Sequence, residues 1–327
     1  MKILHLEAYN YTEDVLNELR KLGVLDIFEP KSREELDTIL DQTDYDCIFT
    51  TIGNTLNSQN LKQQKTLRYI VSPTTGLNHI DLDYTEQNNI SVISLKGETE
   101  FLNSIQSTAE HTWMLVLTLL RNFKKVQESV ANGIWSRDEL LCDELNTKTI
   151  GIIGYGRLGK IVARYAQAFS MQVKICETSP ENQLQAVQNG FEVYSKEEVL
   201  TQSDIVVLLV AYSKENEKML GKEAFALIKK DSVFVNTSRG ELVDEEALLQ
   251  ALENRQIKAA ALDVLVGDSD WKKTIPAQNK LYQYAMQHNN LVLTPHIGGY
   301  GKVSIEKTRD FITEKFLNKV KNEMSNM

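Results

Sequence analysis

Short, continuously apolar runs alternate along this chain with longer segments whose apolar residues recur every three or four positions. In the first hundred residues the runs are Lys2 to Leu6, Cys47 to Thr50, Arg68 to Val71 and Ser91 to Ser94. Between them, segments such as Tyr11 to Leu22 and Arg33 to Leu40 carry helical spacing. Strands apolar on both faces and separated by helices predict a parallel sheet covered on each side. Near residue 107 the pattern changes to a long, mostly apolar helix, Ser107 to Val130, containing AEHTWMLVLTLLRNF. A second series of strands follows: Thr149 to Ile153, Gln172 to Cys176, Asp204 to Val210, Ser232 to Asn236, Ala259 to Val264 and Leu291 to Leu293. Six strands make a complete dinucleotide-binding sheet. A final helix, Val303 to Val320, comes after that series, so it would pack back on the first domain and make it discontinuous.

Length agrees with two domains, since 327 residues exceed one ordinary core. Charge narrows the partners. Lys and Arg number 36 against 45 Asp and Glu, a formal charge of −9, which lacks the basic footprint of a nucleic-acid binder. Any anionic ligand must therefore be held by local groups. Cys47, Cys142 and Cys176 lie far apart and form no CxxC pair, so neither a disulfide framework nor a metal site is expected, and the cytoplasm suits them. The longest apolar stretch, Trp113 to Leu120, is too short for a membrane span, and the first residues read as neither signal peptide nor anchor.

The strongest local signal is TIGIIGYGRLGKIVARYAQAF. A strand enters Gly154-Tyr155-Gly156-Arg157-Leu158-Gly159 and a helix leaves it. Gly154 permits the tight turn, Gly156 lets a pyrophosphate approach the backbone, and Gly159 lets helix and strand pack closely. The free N–H groups of that helix end, with Arg157 and Leu158 in its first turn, would face the phosphate oxygens. Glu177 lies 23 positions after Gly154, at the end of the next strand. An acid there accepts hydrogen bonds from the adenosine ribose and repels a 2′-phosphate, so NAD is expected over NADP.

Three later strands end in reactive side chains. Val233-Phe234-Val235-Asn236 runs into Thr237-Ser238-Arg239-Gly240; Ala259 to Val264 carries Asp263, with Asp268 five residues on; Leu291-Val292-Leu293 runs into Thr294-Pro295-His296-Ile297-Gly298-Gly299. An arginine, a carboxylate and a histidine on neighbouring strand ends suit reduction of a 2-oxo acid. The guanidinium grips the substrate carboxylate and polarises its carbonyl. The imidazolium supplies a proton as hydride arrives, and the carboxylate orients the ring and stabilises its charge.

With these segments in order, the chain resembles the D-isomer-specific 2-hydroxyacid dehydrogenases, a family that includes phosphoglycerate dehydrogenases. The resemblance rests on GIIGYGRLG, NTSRGELVDEEAL, AALDV and LTPHIGG, with SPTTGLNHIDLD and STAEHTW upstream, and covers roughly residues 45 to 300. It implies an α/β chain of two doubly wound parallel-sheet domains: a Rossmann nucleotide-binding domain, residues 102–298, inserted in a flavodoxin-like substrate domain, residues 1–101 and 299–327. It implies Arg239 as the substrate-binding arginine, His296 as general acid/base and Asp263 as partner of the nicotinamide carboxamide. Backbone N–H groups around Thr75 and Gly76 would hold the substrate carboxylate, and Thr237, Ser238, Gly298 and Gly299 would border the cofactor. A homodimer formed through the nucleotide domain is also implied.

Two departures from the family pattern stand out. The family has Glu, followed by Pro, where this chain has Asp268 in LVGDSDW. Either Asp268 pairs with His296 through an adjusted loop, or Asp270 reaches in by a shift of register. The loop after Phe49 commonly carries arginines in phosphoglycerate dehydrogenases, but here it reads Thr50-Thr51-Ile52-Gly53-Asn54. An uncharged loop is a poor phosphate site, so small unbranched acids such as glyoxylate, hydroxypyruvate or pyruvate are expected before phosphohydroxypyruvate. Two other readings remain. A corepressor-like protein that senses NAD(H) could use the same scaffold. Formate dehydrogenases are similar too, but pair their histidine with Gln. The remaining histidines, His5, His79, His111 and His288, read as structural or exposed, with His79 near enough to the Thr75 turn to touch substrate.

Overall fold

The computed structural model describes residues 1–138, 140–271 and 274–325, with Asp270 described by its backbone alone. The chain divides into two units: Met1–Leu102 with Ser269–Thr274 and Gly301–Met327, and Asn103–Asp268 with Ile275–Tyr300. The divisions expected after residues 101 and 298 thus fall after 102 and 300. The segment from 269 groups with the first unit, an excursion that no change of composition marks.

The first unit holds a parallel sheet of five strands, β1 (Lys2–His5), β2 (Val24–Ile27), β3 (Cys47–Phe49), β4 (Tyr69–Ser72) and β5 (Ser91–Ser94). Their order is β2-β1-β3-β4-β5, the flavodoxin-like arrangement. β2 is absent from the sequence reading for a physical reason. It is a four-residue edge strand whose end residues, Val24 and Ile27, are exposed and whose short apolar run is interrupted by Asp26. β3 and β4 are buried throughout. The terminal helix, Lys302–Ser325, packs on this unit: Phe316 meets Phe49 and Tyr69 edge-on at centroid distances of 5.3 and 5.6 Å.

His5, at the end of β1, is 1% exposed and lies between Tyr11, edge-on at 4.3 Å, and Phe49, stacked at 4.9 Å. Its Nδ1 accepts the Glu7 N–H at 3.3 Å. Burial first, and the Arg309 charge second, push its pKa from 6.5 down to about 3. Between those values the unfolded chain binds a proton that the folded chain refuses. Stability from this residue is therefore complete above about pH 6.5 and falls as pH drops, by about 1.4 kcal/mol per unit. His5→Phe, which keeps the ring, is expected to flatten the fall in thermal midpoint between pH 7 and pH 5. Equal falls in both proteins would refute this.

The second unit has seven parallel strands: β6 (Thr149–Ile153), β7 (Gln172–Cys176), β8 (Glu192–Val193), β9 (Ile205–Leu208), β10 (Val233–Asn236), β11 (Ala259–Leu262) and β12 (Leu291–Leu293). They lie in the order β12-β11-β10-β9-β6-β7-β8, the dinucleotide-binding order with one strand added beyond the sixth. The expected count of six misses β8, a two-residue edge strand too short to carry a pattern. The single helix expected from Ser107 to Val130 is two, Ser107–Leu120 and Phe123–Ala131. Asn122 breaks it in the left-handed region at φ 48°, which asparagine tolerates better than most residues. One side of the Ser107–Leu120 helix packs into the core with Trp113, Leu115, Val116, Leu119 and Leu120. Among the described residues no helix is long and apolar enough to cross a membrane.

Candidate functional site

The glycine turn follows β6 and opens the helix Arg157–Ala168. Gly154 takes φ +100°, and a Cβ there would meet the Leu209 backbone at 2.8 Å. A Cβ on Gly159 would lie 2.1 Å from the Gly154 carbonyl oxygen, so helix and turn touch directly. Gly156 differs: a Cβ there would meet nothing within 4 Å. Its own protein does not need that position bare, so the open space above it fits a pyrophosphate approaching the backbone. Gly156 is also the helix N-cap and supplies no side-chain cap, which leaves the first N–H groups for an anion. Arg157 turns its guanidinium to the Ile105 carbonyl at 2.6 Å, so its side chain already has work within the protein. Leu158 packs against the core.

Glu177 stands at the end of β7 beside this turn. One carboxylate oxygen accepts the Tyr155 N–H at 2.7 Å; the other accepts the N–H groups of Thr178 and Ser179 at 2.7 and 2.8 Å. Three backbone donors hold this side chain in place beside the glycine turn.

The turn after β10 is shaped by Asn236, a residue that sequence reasoning passed over. It is fully buried; its Oδ1 accepts the Ser238 N–H at 2.9 Å and its Nδ2 donates to the Arg239 carbonyl at 2.9 Å. Thr237 is buried with its hydroxyl 2.7 Å from that of Thr112, and the Ser238 hydroxyl donates to the Val210 carbonyl. Arg239 donates to the Ser238 carbonyl at 2.7 Å. Burial lowers the proton affinity of its guanidinium, with Asp268 and Glu241 opposing; an arginine remains cationic regardless. Gly240 explains how this turn reaches the next. A Cβ there would lie 2.2 Å from the Leu265 carbonyl carbon, so two backbones meet where only glycine fits.

The loop from Leu265 to Asp268 is held by acids. Glu245 accepts the Val266 N–H at 2.7 Å, Glu241 accepts the Gly267 N–H at 3.4 Å, and Asp268 accepts the Leu265 N–H at 3.3 Å. In this setting Asp268 Oδ2 lies 2.9 Å from His296 Nδ1. The side chain of Asp270 lies outside the described residues. The ring thus gives Nδ1 to the carboxylate, and Nε2 has no hydrogen-bond partner among the described residues. Asp268 therefore touches the histidine, and its charge is felt at the buried Arg239 guanidinium.

Asp263 is 2% exposed and serves the protein with both oxygens. Oδ1 accepts from the Thr294 hydroxyl at 2.6 Å and the Ile297 N–H at 3.0 Å, and Oδ2 from the Gly298 N–H at 2.7 Å. Its carbonyl accepts the His296 N–H at 2.8 Å. Burial pushes its carboxyl pKa up, but His111, Thr294 and Gly298 outweigh burial and hold it below the ordinary value. A Cβ on Gly298 would press to 2.9 Å from Asp263 Oδ2, whereas the nearest atom to one on Gly299 would be Thr108 Oγ1 at 3.9 Å. With both oxygens this aspartate clasps the histidine's loop.

In the first unit the turn after β4 carries Thr75 and Gly76. The Thr74 hydroxyl donates to the Gly76 carbonyl at 2.8 Å and lies 2.9 Å from that of Ser72. His79 is buried against this turn, Nε2 3.1 Å from Ser72 Oγ.

The family profile described as "D-isomer specific 2-hydroxyacid dehydrogenase, NAD binding domain" matches residues 113–298. A D-3-phosphoglycerate dehydrogenase of Bacillus subtilis is 31% identical over 258 residues, 79% of this chain and 46% of that protein. A glyoxylate reductase of Pyrococcus furiosus is 29% identical over 294 residues, 88% of this chain and 83% of that protein. This chain spans about half the length of the phosphoglycerate dehydrogenases it matches. Among solved structures, an Aquifex aeolicus D-lactate dehydrogenase complexed with NAD and lactic acid superimposes with a TM-score of 0.82 at 26% identity, covering 99% of this chain and 97% of that one.

Proposed function

This chain belongs to the D-isomer-specific 2-hydroxyacid dehydrogenases, and on that premise we propose that it reduces a small 2-oxo acid to the D-2-hydroxy acid with NADH. The observation that carries the reading is Asp268 Oδ2 at 2.9 Å from His296 Nδ1, a pairing that leaves Nε2 for proton transfer. Bound NADH supplies hydride to the substrate carbonyl carbon. His296 Nε2 gives its proton to the carbonyl oxygen, so the C=O bond becomes CH–OH, and Asp268 balances the charged ring before transfer. Arg239 draws electron density toward the carbonyl oxygen and pairs with the carboxylate. In the reverse direction the same imidazole accepts the alcohol proton.

The uncharged Thr50 to Asn54 loop, with Thr50, Thr51 and Asn54 buried, supports glyoxylate, hydroxypyruvate or pyruvate over a phosphorylated acid. Exposed apolar side chains on the second unit support a homodimer, since Trp135 and Leu141 are 92% and 94% exposed and would otherwise face water at a cost.

The test is NADH and NADPH oxidation over a panel of 2-oxo acids, with oligomeric state read by light scattering on the same preparation. Preference for NADH by about 100-fold is expected, because a 2′-phosphate would meet the fixed Glu177 charge. Glu177→Ser is expected to erode that preference at least about tenfold. Tight NADH binding with no turnover of any panel acid would reject the enzyme and favour a cofactor-sensing protein.

A further inference from the structure

One face of the Ser107–Leu120 helix is polar, and each polar group on it grips a different strand end of the second sheet. Ser107 donates to the Gly298 carbonyl at 2.7 Å, beyond β12. The Thr112 hydroxyl lies 2.7 Å from that of Thr237, beyond β10. Between them is His111, its side chain only 11% exposed, with Nε2 3.1 Å from Asp263 Oδ1 and 2.9 Å from Thr294 Oγ1. This residue reads from sequence as an ordinary helix position.

The proton inventory assigns His111 its direction. Asp263 is held ionised, so it only accepts. The hydroxyl of Thr294 has one hydrogen, which goes to Asp263 Oδ1 at 2.6 Å. Two oxygens with no hydrogen to offer therefore face His111 Nε2, and the network requires the proton on that nitrogen, donated between both. His111 completes a ring of donors around Asp263 whose other members are the Thr294 hydroxyl and the Ile297 and Gly298 amides. Those groups bracket His296, whose N–H goes to the carbonyls of Asp263 and Thr294 at 2.8 and 3.0 Å and whose φ is 53°. A non-glycine residue keeps that conformation only where its surroundings enforce it.

We propose that His111 is a positioning residue for the reaction assigned above: through Asp263 and Thr294 it fixes the backbone that aims the His296 imidazole. The proposal rests on the dehydrogenase reading, and it concerns no contact of His111 with substrate or cofactor. Loss of the donor frees the loop to shift, and a displacement of about 1 Å at a reacting group costs up to about 100-fold in rate.

The experiment compares His111→Leu and His111→Gln, each alone and in a His296→Ala background. His111→Leu is expected to lower kcat about 10- to 50-fold, with KM for the 2-oxo acid and Kd for NADH within threefold of the starting protein. His111→Gln, which keeps an N–H at similar reach, is expected to regain activity to within about fivefold. In the His296→Ala background His111→Leu is expected to leave the residual rate unchanged, because the group it positions is gone. Three results overturn the proposal: kcat within twofold in His111→Leu, equal impairment in His111→Gln with a lowered melting temperature, or a further fall in the His296→Ala background. Turnover of His296→Ala on its own within tenfold of the starting protein would overturn the dehydrogenase mechanism as well, and is read separately from the first three.

Discussion

His296→Ala is expected to lower kcat for 2-oxo acid reduction by about 1000-fold, within the range that a positioned general acid contributes. The loss arises at the proton. Without Nε2 the developing alkoxide must take its hydrogen from water, which is neither held at the carbonyl oxygen nor charged. Asp268 would remain in place, since the Leu265 N–H and the backbone clasp by Glu241 and Glu245 do not involve the ring. NADH affinity is therefore expected to stay within threefold, read by quenching of the reduced nicotinamide fluorescence. Asp268→Asn is expected to cost less, about 10- to 100-fold, because the ring loses its ionic partner and keeps a hydrogen-bonding neighbour. Turnover of His296→Ala within tenfold of the starting protein would remove the imidazole from the reaction.

The second large effect is expected at Arg239. Replacement by alanine removes the group that both holds the carboxylate and polarises the carbonyl, so binding and rate fall together. A desolvated charge pair truncated on one side loses about 2–5 kcal/mol, which places the drop in kcat/KM at roughly 30- to 5000-fold. Arg239→Lys separates charge from shape. Lysine restores a cation but not the planar two-pronged donor, and recovery is expected to stop about tenfold short of the starting protein. Steady-state rates across a concentration series of the best panel acid provide the measurement. An alanine variant with KM and kcat both within threefold would show that the carboxylate is held elsewhere.

Much of this site was legible in the sequence, because glycine and proline mark strand ends so sharply. Gly154, Gly156 and Gly159 differ in what a methyl group would strike, and their spacing already implied those separate roles. Asp268 and His296 lie 28 positions apart, yet both follow short apolar strands in a parallel sheet, which places them on the same edge. What sequence could not supply was the choice between Asp268 and Asp270. Asp268 Oδ2 stands 2.9 Å from His296 Nδ1 on a loop that Glu241 and Glu245 hold by the backbone of Val266 and Gly267 from another strand end, while the Asp270 side chain lies outside the described residues. Asn236 and His111 were missed for a related reason. Asn236 sits inside a motif whose reactive neighbour drew the reading, and His111 meets Thr294 across 183 positions, a distance over which helical periodicity says nothing. The undetected β2 and β8 are edge strands, where burial on a single side weakens the apolar pattern.

The left-handed backbone at His296 sets folding against use at a single position. Holding a branched or bulky side chain there costs roughly 1 kcal/mol that glycine would not incur. Glycine or asparagine at residue 296 would be expected to raise the melting temperature, so the imidazole is carried there at a standing expense in heat resistance.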